Sequence, residues 1–230
     1  MRSVVLLFLF AFSLFVSATL LFWVEPMFAK MILPRFGGAP AVWNVCLAFY
    51  QLVLLAGYVY AHVTTRRLGV RRQALLHIVL LLLVLITLPI GVSERWNPPV
   101  EANPIPWLFL LLLLSVGLPF FMISTTAPLL QKWFATTDHP AAKDPYFLYS
   151  ASNLGSMVAL LGYPLLVEPL LPLAGQARSW AVCYVLLAGL ISACAVLVLR
   201  SPRTGTQNTG VILEPPSPDS MANSPSGLKM

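Results

Sequence analysis

Two copies of the tripeptide Val-Glu-Pro stand in this chain, at 24–26 and 167–169, each near the end of a long apolar run. A carboxylate at membrane depth is costly unless it is paired, and it marks a substrate or ion path. Glu25 and Glu168 are therefore candidates for a paired acidic site that takes a cation. The plainer alternative is that both cap helices where water is near. A second echo overlaps the first. "EPMFAKM" at 25–31 and "APLLQKW" at 127–133 share a proline, two apolar residues, a variable residue, a lysine and a further apolar residue. Proline removes a backbone donor and clashes with the carbonyl four residues earlier. In lipid, the freed carbonyl needs a new partner. Lys30 and Lys132, one turn beyond Pro26 and Pro128, supply donors or extend to the headgroups. Pro26, Lys30, Pro128, Gln131 and Lys132 thus join the two glutamates on a candidate solute path; the alternative is helix ends with interfacial lysines.

A third group lies in "DPYFLYSASNLGSMVALLGYP", residues 144–164. Ala151, Gly155 and Ala159 are spaced by four, and small residues at that spacing let helix backbones approach closely. Asn153 and Ser152 stand beside this stripe. An amide in hydrocarbon needs a partner, so Asn153, Ser152 and Gln51 are either interhelical packing groups or ligands for a polar solute. Asp144-Pro145 reads as a helix cap with proline at the first helical position.

Catalytic chemistry is not expected. His62 and His77 flank an arginine-rich loop and His139 lies in the next basic loop; none has metal-ligand spacing, and all three read as interfacial. Cys46, Cys183 and Cys194 fall inside apolar runs, where thiols behave as small apolar groups. No Ser-His-Asp or Cys-His arrangement and no cofactor motif is present, so the chain is not expected to be an enzyme or to carry a cofactor.

The elements that must position these residues follow from composition. The chain has 230 residues, 58% hydrophobic and 10% charged, with a mean hydropathy of +0.82. A soluble domain does not need that much apolar surface. A bilayer core about 30 Å thick needs roughly 20 apolar residues per helix. Six spans are expected, at about 4–24, 42–63, 74–92, 107–130, 146–167 and 180–199. The first is read as a span and not a cleaved leader, because its apolar run continues past Ala18. Trp23, Trp43, Trp107, Tyr146 and Trp180 fall at the expected span ends, where amphipathic rings favour headgroups.

With both termini on one side, only Lys30, Arg35, Arg95 and Arg178 of the 14 Lys and Arg face the other. The positive-inside rule then puts both termini in the cytoplasm and the loop "SERWNPPVEANPIP" outside. The net charge of +6 reports this topology and not nucleic-acid binding. Residues 200–230 are rich in Pro, Ser, Gly and Asn and read as a disordered cytoplasmic tail.

Aligning Pro26 with Pro128 overlays spans one to three on spans four to six. An odd number of spans per copy makes the copies inverted, as in the three-plus-three halves of major facilitator proteins. The expected architecture is all-α: a polytopic six-helix membrane bundle, half of a facilitator-like fold. Such a half would function as a homodimer or with a partner chain in the lipid bilayer.

Longer strings sharpen this. The loop "RRLGVRR" resembles the latter half of the major facilitator loop motif, but Arg66 and His62 stand where that motif has its Asp and first Gly. "EPMFAKMILPRFGGAPAVWNVCLAFYQLVLLAGYVYAH", "LPFFMISTTAPLLQKWFA", "DPYFLYSASNLGSMVALLGYPLLVEPLLPL" and "GQARSWAVCYVL" resemble the membrane region of the bacterial fused major facilitator/spermidine synthase family, from about residue 10 to about 199. In that family Gln often fills the place of Glu25, which weakens any general role for this carboxylate. Its members continue into further helices and a spermidine-synthase-like domain, and no segment here matches either. The proline breaks, Glu25 and Glu168 point to a small, cationic solute. The resemblance implies a transporter-like bacterial inner-membrane module with polyamine chemistry nearby. It leaves open a membrane anchor or regulatory subunit for a separate aminopropyltransferase-like enzyme, or a truncated relic.

Overall fold

The computed structural model describes residues 2–93, 103–137, 139–143 and 145–200. The proposed tail, most of the Pro-rich loop and the Asp144 cap lie outside them. The described residues are almost wholly helical and contain no strand. The helices are α1 (Arg2–Phe36), α2 (Pro40–Val84), α3 (Pro104–Leu112), α4 (Leu118–Ser124), α5 (Thr126–Phe134), α6 (Tyr146–Gly162), α7 (Glu168–Leu170) and α8 (Leu173–Arg200). Among the described residues, five continuous stretches are long and apolar enough to cross a membrane: Val4–Phe36, Pro40–Thr87, Pro104–Phe134, Tyr146–Leu170 and Leu173–Arg200. Large apolar side chains such as Leu82, Ile86, Leu161, Leu165 and Val182 point out of the bundle, a surface suited to lipid.

These stretches correct several expected boundaries. Pro26 does not break its helix: α1 runs through both Pro26 and Pro34 to Phe36. A wide π turn, Leu113–Gly117, joins α3 to α4 just before Pro119, and a second, Tyr163–Val167, carries α6 past Pro164 into α7. Such turns relieve the clash that proline imposes on the preceding turn. Pro128 lies just inside α5, after a local turn at Thr125.

The expected second and third spans form a single helical element, α2, with no loop between them. That element is not straight. Gly69 has φ 71° and ψ 163°, a conformation nearly confined to glycine. Tyr60 and His77 would lie about 25 Å apart along a straight helix at 1.5 Å per residue. Their ring centroids are 6.2 Å apart. The chain therefore folds back at Gly69, and α2 packs as a first limb before it and a second limb after it.

Contacts fix the directions of the other helices. Ser13 meets Cys194 and Leu20 meets Trp180, so α8 runs against α1. The first limb of α2 runs with α4 and α5: Tyr50 meets Phe120, and Gly57 abuts Ser124. Phe15 abuts Gly155 and Lys30 pairs with Glu168, so α6 and α7 run with α1. Two helices share a direction only if the chain reverses an even number of times between them. The reversal at Gly69 makes that number even.

The contact between α1 and α6 is very close. A Cβ built on Gly155 would lie 2.3 Å from the Phe15 carbonyl oxygen. The Thr19 hydroxyl donates to the Gly155 carbonyl at 3.2 Å. Gly155 and Ala159 are buried, as the small-residue stripe requires, and Ala151 is half-buried. From this crossing, 15 residues of α1 reach Lys30 and 13 of α6 and its extension reach Glu168, both near 20 Å. The crossing thus sets which residues face each other at that end of the bundle.

Candidate functional site

Three helical stripes meet there around a cavity of about 410 Å³. On α1 the stripe is Phe22, Glu25, Pro26 and Lys30; on α2 it is Trp43, Cys46, Leu47 and Tyr50; on α6 and its extension it is Leu160, Tyr163, Pro164 and Glu168. Spacings of three and four place each set on one helix face. Glu25, Pro26, Lys30 and Glu168, all singled out from sequence, are brought together here.

The charges are unequal. Lys30 pairs with Glu168 across the rim, and both side chains remain well exposed, at 38% and 40%. At that exposure the pair contributes little to stability. Glu25 is half-buried and has no ion-pair or hydrogen-bond partner among the described residues. With all three ionised, one lysine and two glutamates give the cavity a formal charge of −1.

The walls suit a cation. Phe22, Trp43, Tyr50 and Tyr163 supply aromatic surface, which attracts positive charge through the ring quadrupole. The Tyr50 hydroxyl is buried with no hydrogen-bond partner among the described residues, whereas the Tyr163 hydroxyl donates to Gln176 at 3.1 Å. Pro26 and Pro164 cannot donate, so the carbonyls of Phe22 and Leu160, four residues earlier, lose their usual α-helical donors at the cavity wall.

A second cavity, of about 470 Å³, lies toward the other end of the bundle and is lined by Pro128 and Lys132 of α5 and by the first limb of α2. The two echoed Pro–Lys pairs thus line different cavities. Gln51, Gln131, Ser152 and Asn153 line neither; Gln51 and Asn153 are exposed, and Gln131 and Ser152 are half-buried. Residue type alone placed them with the site, whereas helix phase turns them away.

Sequence reasoning missed Phe22, Trp43, Tyr50, Tyr163 and Pro164. One signal was available. Pro26 precedes Lys30 by four and Pro164 precedes Glu168 by four, so two walls carry the same device with opposite charges.

His77 is not interfacial. It is fully buried between the rings of Tyr60 and Trp133, and neither ring nitrogen has a hydrogen-bond partner among the described residues. The fold-back at Gly69 encloses it. Beside it, the Trp133 indole donates to Gln73 at 2.7 Å. Trp180 also departs from its expected place at a span end: it is buried within α8 and donates to the Leu20 carbonyl at 3.0 Å.

No protein-family model, curated protein or solved structure matches this chain.

Proposed function

We propose that the chain is an integral membrane module whose 410 Å³ cavity receives a small organic cation, with Glu25 as the counter-charge. One observation carries this reading. The Lys30–Glu168 pair leaves Glu25 as surplus negative charge among aromatic walls. The cavity falls within the usual size range of small-ligand sites, about 300–1,000 Å³. An ammonium group would satisfy Glu25, accept ring contacts and donate to the proline-freed carbonyls. The resemblance to fused facilitator/spermidine synthase proteins agrees with this ligand class, since polyamines are ammonium compounds.

In this reading the fold-back at Gly69 turns five helical stretches into six membrane crossings. Both termini are cytoplasmic, and the cavity faces outward. The bundle is half of a facilitator-like architecture with inverted three-helix repeats, and it works with a second copy or a partner chain. The test is calorimetric titration of the purified protein in lipid nanodiscs with n-butylammonium and, separately, n-butanol. Saturable binding of the ammonium alone supports the reading. Equal binding of both, or of neither, removes it.

A further inference from the structure

We infer that the second cavity, between the first limb of α2 and α5, binds a phosphate-type anion, either a lipid headgroup phosphate or free phosphate. Tyr58, His62 and Arg66 are spaced by four and form one wall, with the small Thr65 beside them leaving room. Pro128 and Lys132, also spaced by four, form the other. No carboxylate lines the cavity among the described residues, and the Lys30–Glu168 ion pair lies elsewhere. Arg66 and Lys132 therefore face a shared space as two positive charges without a counter-charge among the described residues.

The Arg66 guanidinium lies 3.5 Å from Nε2 of His62. A guanidinium can only donate, so in this contact the His62 ring nitrogen takes the acceptor role. That contact steadies a fork whose remaining N–H groups match two oxygens of a phosphate. Lys132 supplies a point charge from the opposite wall. Arg67 and Arg72 flank the reversal at Gly69, close in the chain to this wall, and add positive potential there. Basic pockets between membrane helices on the cytoplasmic side hold anionic headgroups by the same chemistry.

The full chain, purified in detergent, is titrated by native mass spectrometry with phosphatidylglycerol and with phosphatidylcholine, and by calorimetry with inorganic phosphate. The double variant Arg66→Gln/Lys132→Gln removes both cavity charges. The double variant Arg67→Gln/Arg72→Gln removes two charges from outside it. The inference expects phosphatidylglycerol or inorganic phosphate to bind above the phosphatidylcholine level. That binding should fall about tenfold or more in the first variant and within about twofold in the second. Binding of phosphatidylglycerol alone identifies a headgroup site, and binding of inorganic phosphate identifies a free-anion site. Equal losses in both variants mean nonspecific attraction and overturn the inference, as does binding of neither anion. An intact melting transition in both variants excludes unfolding as the cause of a loss.

Discussion

Adding one methyl group at Gly155 should destabilise the bundle. The new Cβ would sit 2.3 Å from the Phe15 carbonyl oxygen and 3.0 Å from its carbon, whereas ordinary contact begins at 3.4 Å. The shortfall, 3.4 minus 2.3, is 1.1 Å. Both obstructing atoms are backbone, so no rotamer change relieves them. α1 and α6 must separate along their shared face. Overpacking of this kind costs about 1–3 kcal/mol. Alanine recovers about 0.5–1 kcal/mol of helix propensity relative to glycine. Because the overlap is with backbone, the upper part of the overpacking range, about 2–3 kcal/mol, applies. The net loss is therefore about 1–2.5 kcal/mol, or a fall in Tm of about 2–10 °C for a chain of this size. Gly189 provides the contrast, because a Cβ there meets nothing within 4 Å. Gly189→Ala should leave Tm unchanged or raise it by a few degrees. The assay is thermal unfolding in one detergent, followed by tryptophan fluorescence. A Gly155→Ala protein as stable as the parent would refute the close crossing, and with it the placement of Lys30 opposite Glu168.

Other predictions address the reversal, the buried imidazole and the cavity charges. Gly69→Ala places a side chain at φ 71° and ψ 163° and should cost about 1–3 kcal/mol, read as a lower Tm; no change would argue against the fold-back. His77→Leu removes two buried nitrogens that have no partner among the described residues, so Tm should hold or rise, and a drop of several degrees would mean that the imidazole is satisfied in solution. Lys30→Gln changes the acidic cavity from −1 to −2, so calorimetry should show a diammonium ligand gaining affinity over n-butylammonium. An unchanged preference would show that Lys30 does not set the cavity charge.

Helix content and the apolar runs were legible because a membrane crossing needs about 20 apolar residues, a signal that survives uncertainty at the ends. Glu25 and Glu168 were legible because a charge in such a run stands out. Their shared cavity was not, since it depends on the α1–α6 crossing at Gly155, a contact between residues 140 positions apart in sequence. Gly69 was visible only as a residue in a basic loop. Its positive φ lets helical structure continue on both sides of a reversal, so the expected loop is absent. Pro26 misled for the opposite reason: proline removes one bond, and α1 tolerates that loss without ending. His77 lies next to arginines in sequence yet is enclosed by Tyr60 and Trp133, a contact that local polarity cannot reveal.

The affinity of n-butylammonium for the Glu25→Gln protein, measured beside the parent in nanodiscs, tests the central claim most directly. Glutamine keeps the size of the side chain and removes its charge. If Glu25 is the counter-charge for a cation, affinity should fall about tenfold or more while Tm changes little. An unchanged affinity in a folded Glu25→Gln protein would contradict the account.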